Sequence, residues 1–329
     1  MEEYFKGKRV LVTGGTGMIG CQVVKILADM GAIVFSVSLD QVRQWPERAQ
    51  YIKADLTDYH KCINLTYTMD CVAHVAGIKG SVVMTRERPA SFFVPLLMMN
   101  TNVLEACRVN RVKKVVYTSS IGAYQSAEIF VETEYDNYSS PPMDEFPGWA
   151  KRMGELQIEA YKRQYGLNYG VVRPCNVYGP WDNFNPATAM VIPSLMEKMY
   201  CNIYGDGKPV MAWGDGSAIR DFAYSYDIAM GIVQALYHGT GGRYVNLGSG
   251  KGVSIVELLE DLQEVVEFDY VFDESKPSGF PKRVMDISLA QELIGYEVTT
   301  LLRDGLASTW SWYIQNRDFL QGRQDYFKE

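Results

Sequence analysis

Glycines at 14, 15, 17 and 20 punctuate Thr13-Gly14-Gly15-Thr16-Gly17-Met18-Ile19-Gly20, where the β-branched run Arg9 to Thr13 gives way to a helical stretch, Cys21 to Met30. A helix that opens on such a turn presents unpaired N–H groups and a partial positive charge, and glycine lets a phosphate come close to the backbone. The chemistry implied is capture of a pyrophosphate. Asp40 follows the loop by about twenty residues, the spacing at which a carboxylate at the end of the second strand bonds a ribose 2′-hydroxyl. Loop and carboxylate together read as a dinucleotide site.

Elements able to position such a site recur along the chain. Short runs at Arg9 to Thr13, Ile33 to Ser38, Cys71 to Val75, Lys114 to Ser119, Tyr169 to Arg173 and Tyr244 to Leu247 read as strands. Between them Cys21 to Met30, Pro95 to Val109 and Ala150 to Tyr165 read as helices. Alternation of this kind predicts an α/β fold, a doubly wound parallel sheet covered on both faces, with a smaller α/β lobe at the C-terminal side. After Pro174 the texture turns glycine-rich and aromatic, with Gly-Asp-Gly at 205–207 and 214–216. The expected division is therefore a dinucleotide-binding domain over 1–175, with a returning segment near 223–251, and a substrate lobe built from 176–222 and 252–329.

The 329 residues, 47% apolar and 22% charged, suffice for a full core. A net charge of -7 disfavours nucleic acid and anionic membrane as partners, since both need a concentrated basic surface. The six cysteines contain no Cys-x-x-Cys pair, so no metal site is expected, and they read as reduced, buried thiols. Met1 to Lys8 is charged and unlike a signal peptide, and the apolar stretch Phe92 to Met99 is interrupted by Pro95. A cytoplasmic protein is expected, without a membrane partner.

Further motifs follow the loop in order: Asp55-Leu56, Ala73-His74-Val75-Ala76-Gly77, Thr118-Ser119-Ser120, Arg173-Pro174-Cys175-Asn176-Val177-Tyr178-Gly179-Pro180, Val191-Ile192-Pro193, Trp213-Gly214-Asp215-Gly216 and Arg220-Asp221-Phe222. With them the chain resembles the extended short-chain dehydrogenase/reductase superfamily, and within it the GDP-L-fucose synthases and related nucleotide-sugar epimerases and reductases. The resemblance implies that Gly14, Gly17, Met18, Ile19 and Gly20 hold the pyrophosphate and that Asp55 and Leu56 flank the adenine. Val75, Ala76, Gly77 and Thr118 would line the cofactor, and Lys151 would bond the nicotinamide ribose. Ser120 would orient the substrate hydroxyl. Lys79, Asn176, Val191, Lys198, Trp213 and Arg220 would surround a nucleotide-diphosphate sugar, GDP-linked by the resemblance to the GDP-L-fucose synthases. His74, in an apolar strand, reads as a satisfied core residue.

The resemblance breaks where proton transfer is concerned. In the superfamily a Tyr four residues before the Lys exchanges the proton of the sugar hydroxyl; here that position is Pro147. The Tyr-x-x-x-Lys strings at Tyr4 to Lys8 and Tyr204 to Lys208 lie outside the expected helix. GDP-L-fucose synthases also employ a Cys and a His, whose positions are held by Gly122 and Met190. Tyr124, and Tyr135 or Tyr138, are the candidates for a replacement relay. Asp40 would repel a 2′-phosphate and favours NAD, while Arg43 leaves NADP open. Two readings result: an NAD(P)-dependent nucleotide-sugar epimerase, dehydrogenase or reductase lacking the usual Tyr, or a catalytically degenerate protein that binds both ligands. The helices Pro95 to Val109 and Ala150 to Tyr165 correspond to those through which related enzymes dimerise, and a homodimer is expected.

Overall fold

Seven parallel strands run through the centre of the molecule: β1 (Arg9–Thr13), β2 (Ile33–Ser38), β3 (Ala49–Lys53), β4 (Cys71–His74), β5 (Lys114–Thr118), β6 (Gly170–Pro174) and β7 (Tyr244–Leu247). Their order in the sheet is β7-β6-β5-β4-β1-β2-β3. Strands β4 and β6 are buried along their whole length, which explains why they show no apolar–polar alternation, their polar members His74 and Arg173 being buried with the rest. The order reverses between β1 and β4, and in such sheets a crevice opens at the carboxyl ends of the two strands where it reverses. The computed structural model describes residues 1–40, 49–80, 82–132, 140–276 and 278–320; Arg43, Tyr135 and Tyr138 fall outside them.

Helices cover both faces. On one, α1 (Met18–Asp29) packs beside α4 (Ser225–His238), burying Val23, Val24, Leu27, Ile228 and Ile232. On the other, α2 (Pro89–Val109) lies against α3 (Glu145–Tyr165) over Val103, Leu104, Cys107 and Ile158. A separate core of Leu195, Met196, Leu258, Leu262, Trp310 and Tyr313 belongs to the C-terminal part.

Both α2 and α3 start earlier than the sequence suggests, because a proline does not stop either one. Pro147 falls in the first turn of α3, where the backbone N–H has no helical partner to lose. Pro95 sits inside α2, which continues through it with Phe92, Leu96 and Asn100 held in the interior on either side. By length and composition α2 could cross a membrane, yet 44% of its apolar stretch is buried within the protein. Five cysteines are buried as expected, but Cys201 is exposed, since it lies on the outer side of the helix Val191–Tyr204.

Strand β7 returns to the edge of the sheet beside β6. One feature crosses the expected lobe boundary. A four-stranded sheet of Val253–Ser254, Ile219–Arg220, Lys282–Met285 and Ile129–Phe130 draws its last strand from the first half of the chain. Two-residue strands like Ile129–Phe130 carry no periodicity to read.

Candidate functional site

At the end of β1 the loop is fixed by steric exclusion. Gly14 has φ +67, a region open to glycine, and a Cβ there would lie 2.8 Å from the Cα of Ala76. A Cβ on Gly20 would meet the Gly14 carbonyl oxygen at 2.0 Å. Only bare backbone permits this packing. Gly17 caps α1 without a side-chain acceptor, so the N–H groups of Met18, Ile19 and Gly20 open the helix with no side chain capping them. Thr16 Oγ1 donates to Asp40 at 3.1 Å, which holds the carboxylate beside the loop.

Beneath the loop, Thr13 Oγ1 accepts from the N–H groups of Val75 and Ala76, both at 3.1 Å, and contacts His74 Nδ1 at 2.7 Å. His74 Nε2 pairs with Asn100 Oδ1 at 3.1 Å, and Asn100 Nδ2 donates to the Tyr117 hydroxyl. Burial, reinforced by the Lys151 charge, depresses the imidazole to about 3, so His74 is a neutral clamp between β1, β4 and α2. Asp55 accepts from the N–H and hydroxyl of Thr57, while Leu56 is buried and its carbonyl accepts from Asn102.

Lys151 projects from α3 toward the end of β5, where its ammonium donates to the Thr118 carbonyl at 2.7 Å. A Cβ on Gly77 would come within 3.6 Å of that nitrogen, so the ammonium also borders the end of β4. Burial lowers it to about 8, against the opposing charge of Glu155. The hydroxyl of Thr118 is buried without a partner. Ser120 opens the short turn Ile121–Ala123, and its Oγ accepts from the Gly122 N–H at 3.0 Å, leaving its own proton to donate. Thr118, Ser120 and Lys151 thus converge around the ends of β4 and β5.

Tyr124 behaves differently from the sequence expectation. It is 3% exposed, its hydroxyl donates to Asn246 Oδ1 at 2.7 Å, and burial pushes its phenol up to about 12. The Arg173 guanidinium lies 4.3 Å from its ring centroid and forms a fully buried two-bond ion pair with Glu155, at 2.9 and 2.7 Å. Glu155 also accepts from Ser119. These groups tie α3 to β5 and β6 under the site. Tyr124 belongs to that support, with its hydroxyl committed to Asn246.

The remaining candidates are long side chains, mostly of the C-terminal part, with Lys79 from the segment after β4. Asn176 Nδ2 donates to the Asp221 carbonyl, and Lys79 reaches the Val177 carbonyl at 3.4 Å. Val191 begins the helix Val191–Tyr204, and Lys198 on it donates to the Met211 carbonyl at 2.7 Å. Trp213 is 50% exposed on the outward-facing side of its strand, which separates it from the lobe core. Arg220 donates to the carbonyls of Ile219 and Phe280 and is lowered to about 10 by burial and by its register neighbour Arg283. Asp221 accepts from the N–H groups of Ser249, Gly250 and Met285, which fixes the strand carrying Arg283. Neither arginine forms an ion pair among the described residues, and the Nε of Arg283 is buried without a partner. Two adjacent guanidinium groups outside any salt bridge, with the Asp144 carboxyl facing Arg283 alone, are suited to an anion.

Arg283 was not singled out by the sequence; its only signal would have been the strand pairing with Arg220. Asp144, whose carboxylate faces Gly122 at the start of α3, was missed for the same reason. No group of three or more His, Cys, Asp or Glu among the described residues is placed to hold a metal.

Residues 10–248 match the model of the NAD dependent epimerase/dehydratase family. The chain is 32% identical over 320 residues to a probable GDP-L-fucose synthase 1 of Oryza sativa subsp. japonica, covering 94% of this chain and 93% of that protein. It is 29% identical to the GDP-L-fucose synthase of Escherichia coli strain K12, over 96% of this chain and 99% of that one. Among solved structures, the UDP-glucose 4-epimerase of Thermotoga maritima with UDP-glucose superposes with a TM-score of 0.82 at 27% identity, over 94% and 99% of the two chains.

Proposed function

Because the chain belongs to the NAD-dependent epimerase/dehydratase family, we propose that it is an NAD(P)-dependent enzyme that oxidises, reduces or epimerises a nucleotide-diphosphate sugar without the usual Tyr. The observation that carries this reading is the meeting of Ser120, Lys151 and the unpartnered Thr118 hydroxyl beside the glycine loop.

The residues present fit a dinucleotide. A Cβ at Gly14 would fill the loop's close approach to Ala76, and the uncapped start of α1 would hold the pyrophosphate. Asp40 would accept from the ribose 2′-hydroxyl and favour NAD over NADP. Asp55 and Leu56 would flank the adenine, and Lys151, with one donor on the Thr118 carbonyl, keeps two for the nicotinamide ribose. A nicotinamide bound there supplies an acceptor and donor of hydride. Ser120 then donates to the sugar oxygen at the reacting carbon. Arg220 and Arg283 would neutralise the diphosphate, with Asn176, Val191, Lys198 and Trp213 around the nucleoside and sugar; a GDP-linked sugar is supported by the similarity to GDP-L-fucose synthases.

Purified protein should carry or bind NAD or NADP, and incubation with GDP-, UDP-, CDP- and dTDP-sugars should yield an altered sugar by mass or by chromatography. No product from any of them would sink the proposal. The joint occurrence of Pro147, Gly122 and Met190 supports a second reading, a binding protein that has lost catalysis. Under it, Lys151→Ala would leave every measurable activity unchanged. Val94, Met98 and Phe146 expose apolar surface on α2 and α3, which supports a homodimer through these helices; light scattering at the monomer mass would refute it.

A further inference from the structure

We propose that Asp144 is the acid–base group of this site, exchanging the proton of the sugar hydroxyl in place of the absent phenol. The inference rests on the nucleotide-sugar reading above.

Asp144 is the N-cap of α3, a position where an aspartate ordinarily accepts from the second or third N–H of its own helix. Here it makes no such bond, and the third position is Pro147, which has no N–H to give. The residue that removes the phenol therefore also removes a capping donor. Freed from the helix, the carboxyl lies over Gly122: a Cβ built there would stand 2.4 Å from Oδ2 and 2.9 Å from Cγ. The carboxylate thus occupies the space that a side chain at 122 would fill. Gly122 in turn donates its N–H to Ser120 Oγ, so Ser120 and Asp144 border the same residue. The Asp144 N–H donates to the Gly122 carbonyl at 3.2 Å, which holds the two segments in register.

Three further properties suit the role. Asp144 is exposed, and among the described residues no hydrogen bond or ion pair commits its carboxyl. Although the residue reaches solvent, desolvation of its carboxyl by the packed surroundings raises it from its ordinary value, against the pull of Arg283, in the direction that suits a general base. Arg283 is the charged group that faces it from the neighbouring strand, and the turn Ile121–Ala123 carries none. In the oxidative direction the C–H bond of the carbinol breaks with its electron pair passing to an oxidised nicotinamide dinucleotide. The O–H proton passes to Asp144 and the C=O bond forms; reduction returns both.

The test compares wild-type protein, Asp144→Asn and Gly122→Ala with the sugar nucleotide that wild type converts. Gly122 has no positive φ, so alanine fits the backbone while its Cβ displaces the carboxyl. Both variants should lose at least about a hundredfold in turnover, the lower end of what a positioned acid–base contributes. Calorimetric affinity for the nucleoside diphosphate and for the dinucleotide should stay within about threefold, as expected of a group acting mainly in the transition state. The infrared carboxyl band that titrates in wild type should vanish in Asp144→Asn. Asp144→Asn turning over at a rate near wild type would overturn the assignment alone, as would a loss of affinity large enough to explain the lost rate. Absence of any turnover by wild type would overturn the functional reading and this inference together.

Discussion

The two groups of candidate site residues are built on opposite plans. The group formed by the ends of β1, β4 and β5 consists of glycines, short hydroxyls and backbone, held from below by fully buried polar groups: His74 with Asn100, and Arg173 with Glu155. The group formed by Arg220, Arg283, Lys198 and Trp213 consists of long side chains anchored on nearby carbonyls or left open to solvent. The first can position a ligand only by being rigid, and its parts are over-determined. The second can change its ligand by substitution at the surface of a separate core. Under the proposed function, hydride chemistry falls to the first group and contact with the nucleotide sugar to the second.

Substitutions can break this contrast, and the largest effect should come from beneath the first group. Glu155→Ala strands Arg173 as an unpaired buried charge and should cost about 3–5 kcal/mol in a urea denaturation series. Arg220→Ala should leave stability within about 0.5 kcal/mol. It should weaken nucleoside-diphosphate binding by about 1.5–3 kcal/mol in calorimetry, with a shallower salt dependence. If Arg220→Ala unfolded the protein, the contrast would be lost. Gly14→Ala forces a side chain into φ +67 and onto Ala76. Dinucleotide affinity should fall roughly tenfold, about 1.4 kcal/mol, with nucleoside-diphosphate affinity unchanged. The smallest effect is a pH dependence. The Lys151 ammonium, lowered to about 8 in the dinucleotide-free protein, is the form that donates to the ribose. Dinucleotide affinity should therefore be complete below that pH and decline above it, and Lys151→Met should show no such decline.

The same contrast decides what could be read along the chain. The glycine loop, the strands of the sheet and Lys151 are local: each depends on a short spacing that only one backbone arrangement satisfies. Tyr124 could be read as a relay or as a packing residue because proximity to Ser120 in sequence says nothing about direction; the short turn after Ser120 sends its ring into the core against Phe130 and Arg173. The starts of α2 and α3 were misplaced because proline was read as a stop, whereas in a first turn it removes no bond, and inside α2 buried neighbours outweigh the one that it removes. Arg283 and Asp144 gave no signal, being ordinary residue types with no motif around them.

By itself the sequence determined the doubly wound sheet, the glycine turn at Thr13 to Gly20 and the absence of a phenol four residues before Lys151. Those follow from covalent properties: what glycine lacks, what proline cannot donate and what alternation of apolar residues must bury. Only the tertiary structure decided which groups stand together around Ser120. The pairing of Arg220 with Arg283 spans two strands far apart in the chain, and the approach of Asp144 to Gly122 depends on how α3 meets the turn after β5. Contacts of that kind are set by packing between elements, and packing between elements is not written in any local spacing.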